Sequence, residues 1–245
     1  MMNIIEDALG RHERVALQFS GGRDSLAVLY LMRPYWDRIS VYWCNTGDAY
    51  PETLSVVDYV RDIVPNFIEI MGRQPQVIAE FGLPSDIVPV SRTPLGLLVS
   101  QAKKTLIQDR YSCCARSMMF PTQERMIADG ITLIIRGQKN ADEFKAATRS
   151  GEVHDGIELL YPIENWTARQ VMDYLHEQHA PTPRFYEVMD SAPDCMTCSA
   201  WWENGAATYL KRYHFEQYQE VQRRLDEINT AVGIHIAAFN KEVSA

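Results

Sequence analysis

Short apolar runs alternate with helical periodicities through the first two thirds of the chain. Val15–Phe19 is short, β-branched at its start and apolar enough for a buried strand, and Leu26, Leu29 and Tyr30 suit a packed helix that follows it. The segment ISVYWCNTG (39–47) reads as a second strand ending in a turn, and PETLSVVDYVRDIV (51–64) as a helix with proline near its start. NFIEIMG (66–72) is a third strand, and ITLIIRGQ (131–138) is the clearest strand in the chain. Between them, 73–92 reads as a long surface loop, 93–104 as a short helix, and 117–130 as a helix closing on Gly130. ELLYPIENWTARQVMDYLHEQH supplies a further short strand and helix. Strands alternating with helices predict an α/β, doubly wound, mostly parallel sheet, with its ligand site at the carboxyl ends of the strands. From Tyr186 the texture changes to a cysteine-bearing loop and a polar helix from about Asn204 to Ile228. The expected division is a main α/β domain over 1–185 and a C-terminal extension over 186–245, folded back on the sheet.

Bulk properties narrow the class. Apolar residues make up 46% and charged residues 23% of the 245, the balance of a chain that buries a core, and no run approaches the ~18 apolar residues of a membrane span. The first twenty residues lack the basic and then apolar layout of a secretion signal, so the expectation is a cytoplasmic protein. A net charge of −8 gives no general attraction for a polyanion, so a nucleic acid acceptor would need a local basic patch.

The turn SGGRDS joins the first strand to its helix. Strand end, glycines and helix start together make a place where main-chain N–H groups and the helix dipole meet an anion. Taken alone, the same turn also reads as an ordinary tight turn with Asp24 as an N-terminal capping residue. NTGDAYPET places Asn45, Thr46 and Gly47 at the end of the second strand, next to that turn in a doubly wound sheet.

Four of the five cysteines fall in two tight pairs, Cys113-Cys114 and Cys195-x-x-Cys198, separated by 80 residues. Without a secretion signal this pattern favours metal or redox chemistry over disulfides. Four thiolates suit a [4Fe–4S] cluster or a structural zinc. Arg116 lies near the first pair and Trp201 and Trp202 near the second, where they tune a metal centre or simply fill core. Cys44 ends the second strand, as an inert strand thiol or a reactive one.

SGGRDS, NTGDAYPET, RGQKNADEFKAATR and YPIENWTARQVMDYL occur in an order and spacing that resemble the phosphoadenylyl-sulfate (PAPS) reductase family of the adenine nucleotide α-hydrolase, or PP-loop, superfamily, over roughly 13–200. The resemblance implies a five-stranded, mostly parallel sheet whose PP-loop holds a nucleotide. It assigns Ser20, Gly21, Gly22, Arg23, Asp24 and Ser25 to the phosphates, Asn45, Thr46 and Gly47 to the nucleotide's border, and Gly137 and Gln138 to its other side. Asp24, Arg136 and Lys139 take catalytic roles, the cations acting on charge that develops on the leaving phosphate. Lys139, Lys145 and Arg149 also read as a solvated loop. The cysteine doublet and spacing resemble the cluster-binding, adenylyl-sulfate reductase branch, which implies a [4Fe–4S] cluster on Cys113, Cys114, Cys195 and Cys198.

Two features depart from that branch. No cysteine follows Cys198, where a reductase carries its nucleophilic thiol, and SGGRDS keeps both serines and the aspartate of the ATP-using branch. The leading expectation is therefore an enzyme that splits ATP into AMP and pyrophosphate, with Mg2+ on the phosphates, and couples adenylation to sulfur chemistry. The alternatives are an adenylyl-sulfate or PAPS reductase with a non-standard thiol donor, and a non-catalytic nucleotide- and cluster-binding sensor. A sulfur-donor or reductant protein and a homo-oligomer are compatible with each, and no membrane partner is expected.

Overall fold

The structure is a computed structural model that describes residues 2–100, 104–142, 147–201 and 205–244. Lys145 and Trp202 lie outside the described residues. The chain divides into two compact units that interleave along the sequence, one of residues 1–45, 50–71 and 121–184, the other of 46–49, 72–120 and 185–245.

The first unit holds the main sheet. Its strands are β1 (Val15–Gln18), β2 (Ile39–Asn45) and β3 (Phe67–Met71). The same unit also holds β6 (Leu133–Ile135) and β8 (Ile157–Leu160), with β7 (Val153–His154) beside the latter. The order across the sheet is β3-β2-β1-β6-β8-β7, parallel throughout except for β7, which pairs antiparallel with β8. The mostly parallel sheet agrees with the periodicity. It has a sixth strand because the chain doubles back through Asp155 and Gly156, adding a two-residue edge too short to carry an apolar signal. β1 and β6 are almost wholly buried, as a central parallel strand covered on both faces requires.

Helix Arg23–Leu31 buries every residue from Ser25 to Tyr30 and packs against helix Ala168–Glu177, which contributes Val171 and Leu175. The latter helix begins with a capping box, in which Thr167 accepts from the Gln170 N–H and Gln170 accepts from the Thr167 N–H. On the sheet, Ala16, Tyr42, Ile70, Met126, Ile131 and Ile134 form one apolar cluster, with Cys44 packed at its margin opposite Ile70. Cys44 is half-buried in β2.

The second unit contains a separate parallel pair, β4 (Leu83–Ser85) with β5 (Ile107–Asp109). The segment expected as loop over 73–92 instead holds helix Gln74–Phe81, β4 and a 3-10 turn at Val90–Arg92. The proline that suggests a loop sits in the first turn of this helix, where its missing N–H costs nothing. Leu83 and Ile107 pack with Ile228 and Ala231 of the long C-terminal helix Phe215–Val243, and a separate helix, Ala206–Tyr213, precedes it. The polar helix read from about Asn204 to Ile228 is thus two helices, broken at His214 (φ −138°, ψ 63°), and the second continues fifteen residues beyond Ile228.

Candidate functional site

The strand order locates the first site. From β1 the chain moves outward to β2 and β3 and then returns to the other side of β1 with β6, so the order reverses between β1 and β6. In an open parallel sheet that reversal opens a crevice at the carboxyl ends of the two strands. The segments leaving those ends are Phe19–Ser25 and Arg136–Lys139.

The first segment is held by serine hydroxyls. Ser25 is 5% exposed; its Oγ donates to Gly22 O (3.0 Å) and accepts from Ser20 N (3.1 Å), and Ser20 Oγ lies 3.1 Å from it and accepts from Gly22 N (3.3 Å). Ser25 thus closes the loop from inside. Gly21 has φ +79°, and a Cβ there would fall 2.5 Å from Thr53 Cγ2, so both the turn and the space require glycine. Helix Arg23–Leu31 starts on Gly22 without a side-chain cap, leaving its first-turn N–H groups aimed along the axis toward the loop.

The second segment lies directly on that helix start. A Cβ on Gly137 would come 2.7 Å from Asp24 C and 2.8 Å from Ser25 N, an approach that only glycine permits. Two residues on, the Lys139 side chain is 5% exposed, with Nζ 2.7 Å from Asp24 Oδ1 and 2.9 Å from Asp142 Oδ1. The Asp24 contact is an ion pair and not an aligned hydrogen bond. The Lys139 N–H donates to Asp142 Oδ2 at 2.7 Å, so Asp142 holds both ends of this residue. One cation between two carboxylates leaves the trio with a charge of −1. Arg136 Nε donates to Gln18 Oε1, and its N–H to Leu160 O at 3.0 Å. Asn45 donates from Nδ2 to Glu69 Oε1 at 3.0 Å in this unit, whereas Thr46 and Gly47 belong to the second. The structure brings Ser20, Gly21, Gly22, Asp24, Ser25, Gly137 and Lys139 together; Arg23 starts the helix, and Gln138 lies in the irregular segment between Gly137 and Lys139. Asp142 escaped the sequence reading, although its spacing of three from Lys139 was a usable signal.

The second unit assembles the cysteines. Asp109 caps helix Arg110–Cys114 by accepting from the Ser112 N–H at 2.8 Å, and that helix passes into a π-helical turn at Ala115–Met119. Such turns recur at functional sites. All four of Cys113, Cys114, Cys195 and Cys198 line one cavity of about 200 Å³, with Tyr111, Pro84 and Trp201. Arg110 lies over the Trp201 ring at 4.5 Å, and Arg116 over Phe81 at 4.2 Å. Burial, then Asp194, Cys198 and Cys113, push the Cys114 thiol up to about 12, although the residue itself is exposed at the rim. Burial pushes Cys198 up to about 11 and raises Cys113 and Cys195, while Arg224 acts the other way on Cys113 and Cys198. Burial also raises the neighbouring Asp194 carboxyl to about 6.

Among the described residues, no group of three or more His, Cys, Asp or Glu side chains is set to grip a metal ion. A single zinc needs four ligands within about 2.3 Å of one point, whereas the corners of an iron–sulfur cube lie farther apart. The donor set, four thiols around one cavity with three arginines nearby, fits the larger body in kind and number.

A parallel sheet with a glycine–serine loop and a buried lysine at its reversal point defines an α/β protein with a candidate anion site at the carboxyl ends of β1 and β6. Residues 14–87 match the family model of the phosphoadenosine phosphosulfate reductase domain. The match spans β1, the loop after it, β2 and β3. In fold the chain is similar to the crystal structure of phosphoadenylyl-sulfate (PAPS) reductase from Candida auris in a phosphate complex, with a TM-score of 0.57 and 16% identity over 78% of this chain and 86% of that one. In sequence it is 26% identical over 224 residues to an uncharacterized protein of Methanocaldococcus jannaschii, covering 87% of this chain. The chain spans 42% of that relative's length. Among the described residues no helix is long and apolar enough to cross a membrane.

Proposed function

We propose that the chain is a PP-loop enzyme of sulfur metabolism that binds ATP at Ser20–Ser25 and cleaves it between the α- and β-phosphates. The bond from the α-phosphorus to the bridging oxygen breaks, an acceptor oxygen takes the adenylyl group, and pyrophosphate leaves. The observation that carries this reading is the loop closed by Ser20 and Ser25 with Lys139 held against Asp24. The loop presents N–H groups to a phosphate. A trio charged −1 around Lys139 repels a polyanion unless a divalent cation accompanies it, which favours a magnesium-bound triphosphate over a nucleotide sulfate arriving alone. Arg136 and Lys139 then face charge that develops on the leaving group.

The second unit supplies the sulfur side of the reaction. Cys113, Cys114, Cys195 and Cys198 are the residues to hold a [4Fe–4S] cluster, which when bound supplies a site for holding or activating sulfur or for electron transfer. Arg110, Arg116 and Arg224 offset its negative charge, and Trp201 limits water. The acceptor is a small molecule or a nucleic acid, with sulfur delivered by a donor protein.

The test is an anaerobic turnover assay with ATP, adenylyl sulfate and PAPS in parallel. Release of AMP and pyrophosphate from ATP, lost in Asp24→Ala, is the expected result. Sulfite from either nucleotide sulfate, with no pyrophosphate from ATP, replaces this reading with a reductase. Binding of nucleotide without turnover of any of the three leaves a sensor.

A further inference from the structure

We infer that Asp48 is the positioning residue for the Cys195–Cys198 pair, and that the turn closing β2 is a latch on the Cys-x-x-Cys loop. The inference rests on the reading of the four thiols as one ligand set. Two thiols separated by two residues point the same way only if the intervening peptides are held, and here Asp48 holds both. The Met196 N–H donates to Asp48 O at 2.6 Å. Thr197 donates twice to Asp48 Oδ2, from N at 2.9 Å and from Oγ1 at 2.6 Å, and Gln74 Nε2 donates to the same oxygen at 3.1 Å. Thr197 and Gln74 are both buried.

Every polar group of Thr197 is committed, since its carbonyl accepts from Arg224 Nη1 at 2.6 Å. On the other side of the latch, Thr46 Oγ1 accepts from the Asp48 N–H at 3.2 Å, donates to Asp194 O at 3.5 Å and bears on the Cys195 thiol. The motif NTGD therefore spends Thr46 and Asp48 on a loop nearly 150 residues away in sequence. A carboxylate suits this task because one oxygen must satisfy three donors, two of them on a buried residue. Charge-assisted bonds are roughly twice as strong as neutral ones. An amide at this position keeps an acceptor oxygen without the charge, and alanine leaves buried donors unpaired.

The test uses the full chain as wild type, Asp48→Asn and Asp48→Ala. In the reduced, metal-free proteins, iodoacetamide labelling read by peptide mass spectrometry should modify Cys195 and Cys198 about tenfold faster in Asp48→Ala than in wild type, and about threefold faster in Asp48→Asn. Cys44 serves as the internal reference and keeps its rate. Equal rates at Cys195 and Cys198 in all three proteins overturn the inference. The same proteins are then reconstituted anaerobically with ferrous iron and sulfide. The thiolate-to-iron band of a cluster on four thiolates is expected in wild type, close to full intensity in Asp48→Asn, and near half in Asp48→Ala, where only Cys113 and Cys114 remain in place. A full four-thiolate band in Asp48→Ala also overturns the latch. Absence of any thiolate band in wild type refutes the four-thiol reading instead, and the labelling rates still decide the latch. If Asp48→Ala fails to fold by circular dichroism, the comparison of Asp48→Asn with wild type decides.

Discussion

Lys139 shows how a single position joins the sequence to the site. Its type and place after β6 mark it as a candidate cation, but its charge is shared with Asp24 and Asp142 in a pocket that nearly excludes water. Removing one partner of a buried ion pair leaves the other uncompensated. Lys139→Met should therefore lower stability by about 2–3 kcal/mol, discounted for the partial exposure of both carboxylates, and abolish ATP turnover. Urea unfolding and pyrophosphate release measure the two effects. Gly137→Ala tests the same site by volume. A methyl group 2.7 Å from Asp24 C has backbone in its way and no flexible side chain to displace, so a loss of about 1–3 kcal/mol and weaker nucleotide binding by calorimetry are expected. An alanine variant with wild-type affinity and midpoint would show that the turn does not sit on the helix start.

Whole elements depend on ends and partners that can be tested separately. Helix Ala168–Glu177 forms under a reciprocal capping box, and Thr167→Ala should cost about 1 kcal/mol in urea unfolding without changing the cysteine site. In the C-terminal helix, Glu220 is gripped by Arg223 at 2.7 Å and Arg224 at 2.7 Å, and Arg224 also holds Thr197 O. The hydrogen bond from Arg223 leads, against burial, in holding the Glu220 carboxyl down to about 2 from 4.5. A depressed carboxyl stabilises the fold above its unfolded value and loses that contribution as pH falls through its folded value. Between about pH 4.5 and pH 2, wild type should therefore lose about 1 kcal/mol that Glu220→Gln does not, the figure being reduced for screening at a partly exposed site. Parallel urea titrations across that range in both proteins measure the difference.

For the molecule as a whole, the two sites belong to two units, so their stabilities should separate. Protein purified without oxygen should carry about four irons and four labile sulfides per chain. Removing them should speed hydrogen exchange at 109–119 and 194–201 in the second unit and leave β1, β2 and β6 unchanged, because a cofactor held by residues distant in sequence contributes its binding energy to the elements it joins. One bound zinc without labile sulfide, or exchange rates that stay the same when metal is removed, would refute the four-thiol assignment.

Much of the main sheet was legible in the sequence because its signals are local. β1, β2, β3 and β6 are apolar runs with turn residues at their ends, and a run of four to eight residues carries that pattern wherever it lies. The SGGRDS turn and the two cysteine pairs were legible for the same reason, since each is a contiguous motif. Tertiary structure alone decided what those motifs touch. The helix at Gln74–Phe81 and the pairing of β4 with β5 depend on segments brought together from about 24 residues apart, and the composition of 73–92 taken alone reads as loop. Asp24 as the partner of Lys139, Gly137 lying on the start of helix Arg23–Leu31, and Asp48 on the spacer of Cys195-x-x-Cys198 are choices of neighbour. Side-chain periodicity records which face of an element is buried; it holds no record of which distant carboxylate or thiol lies against that face, because that is set by packing in three dimensions.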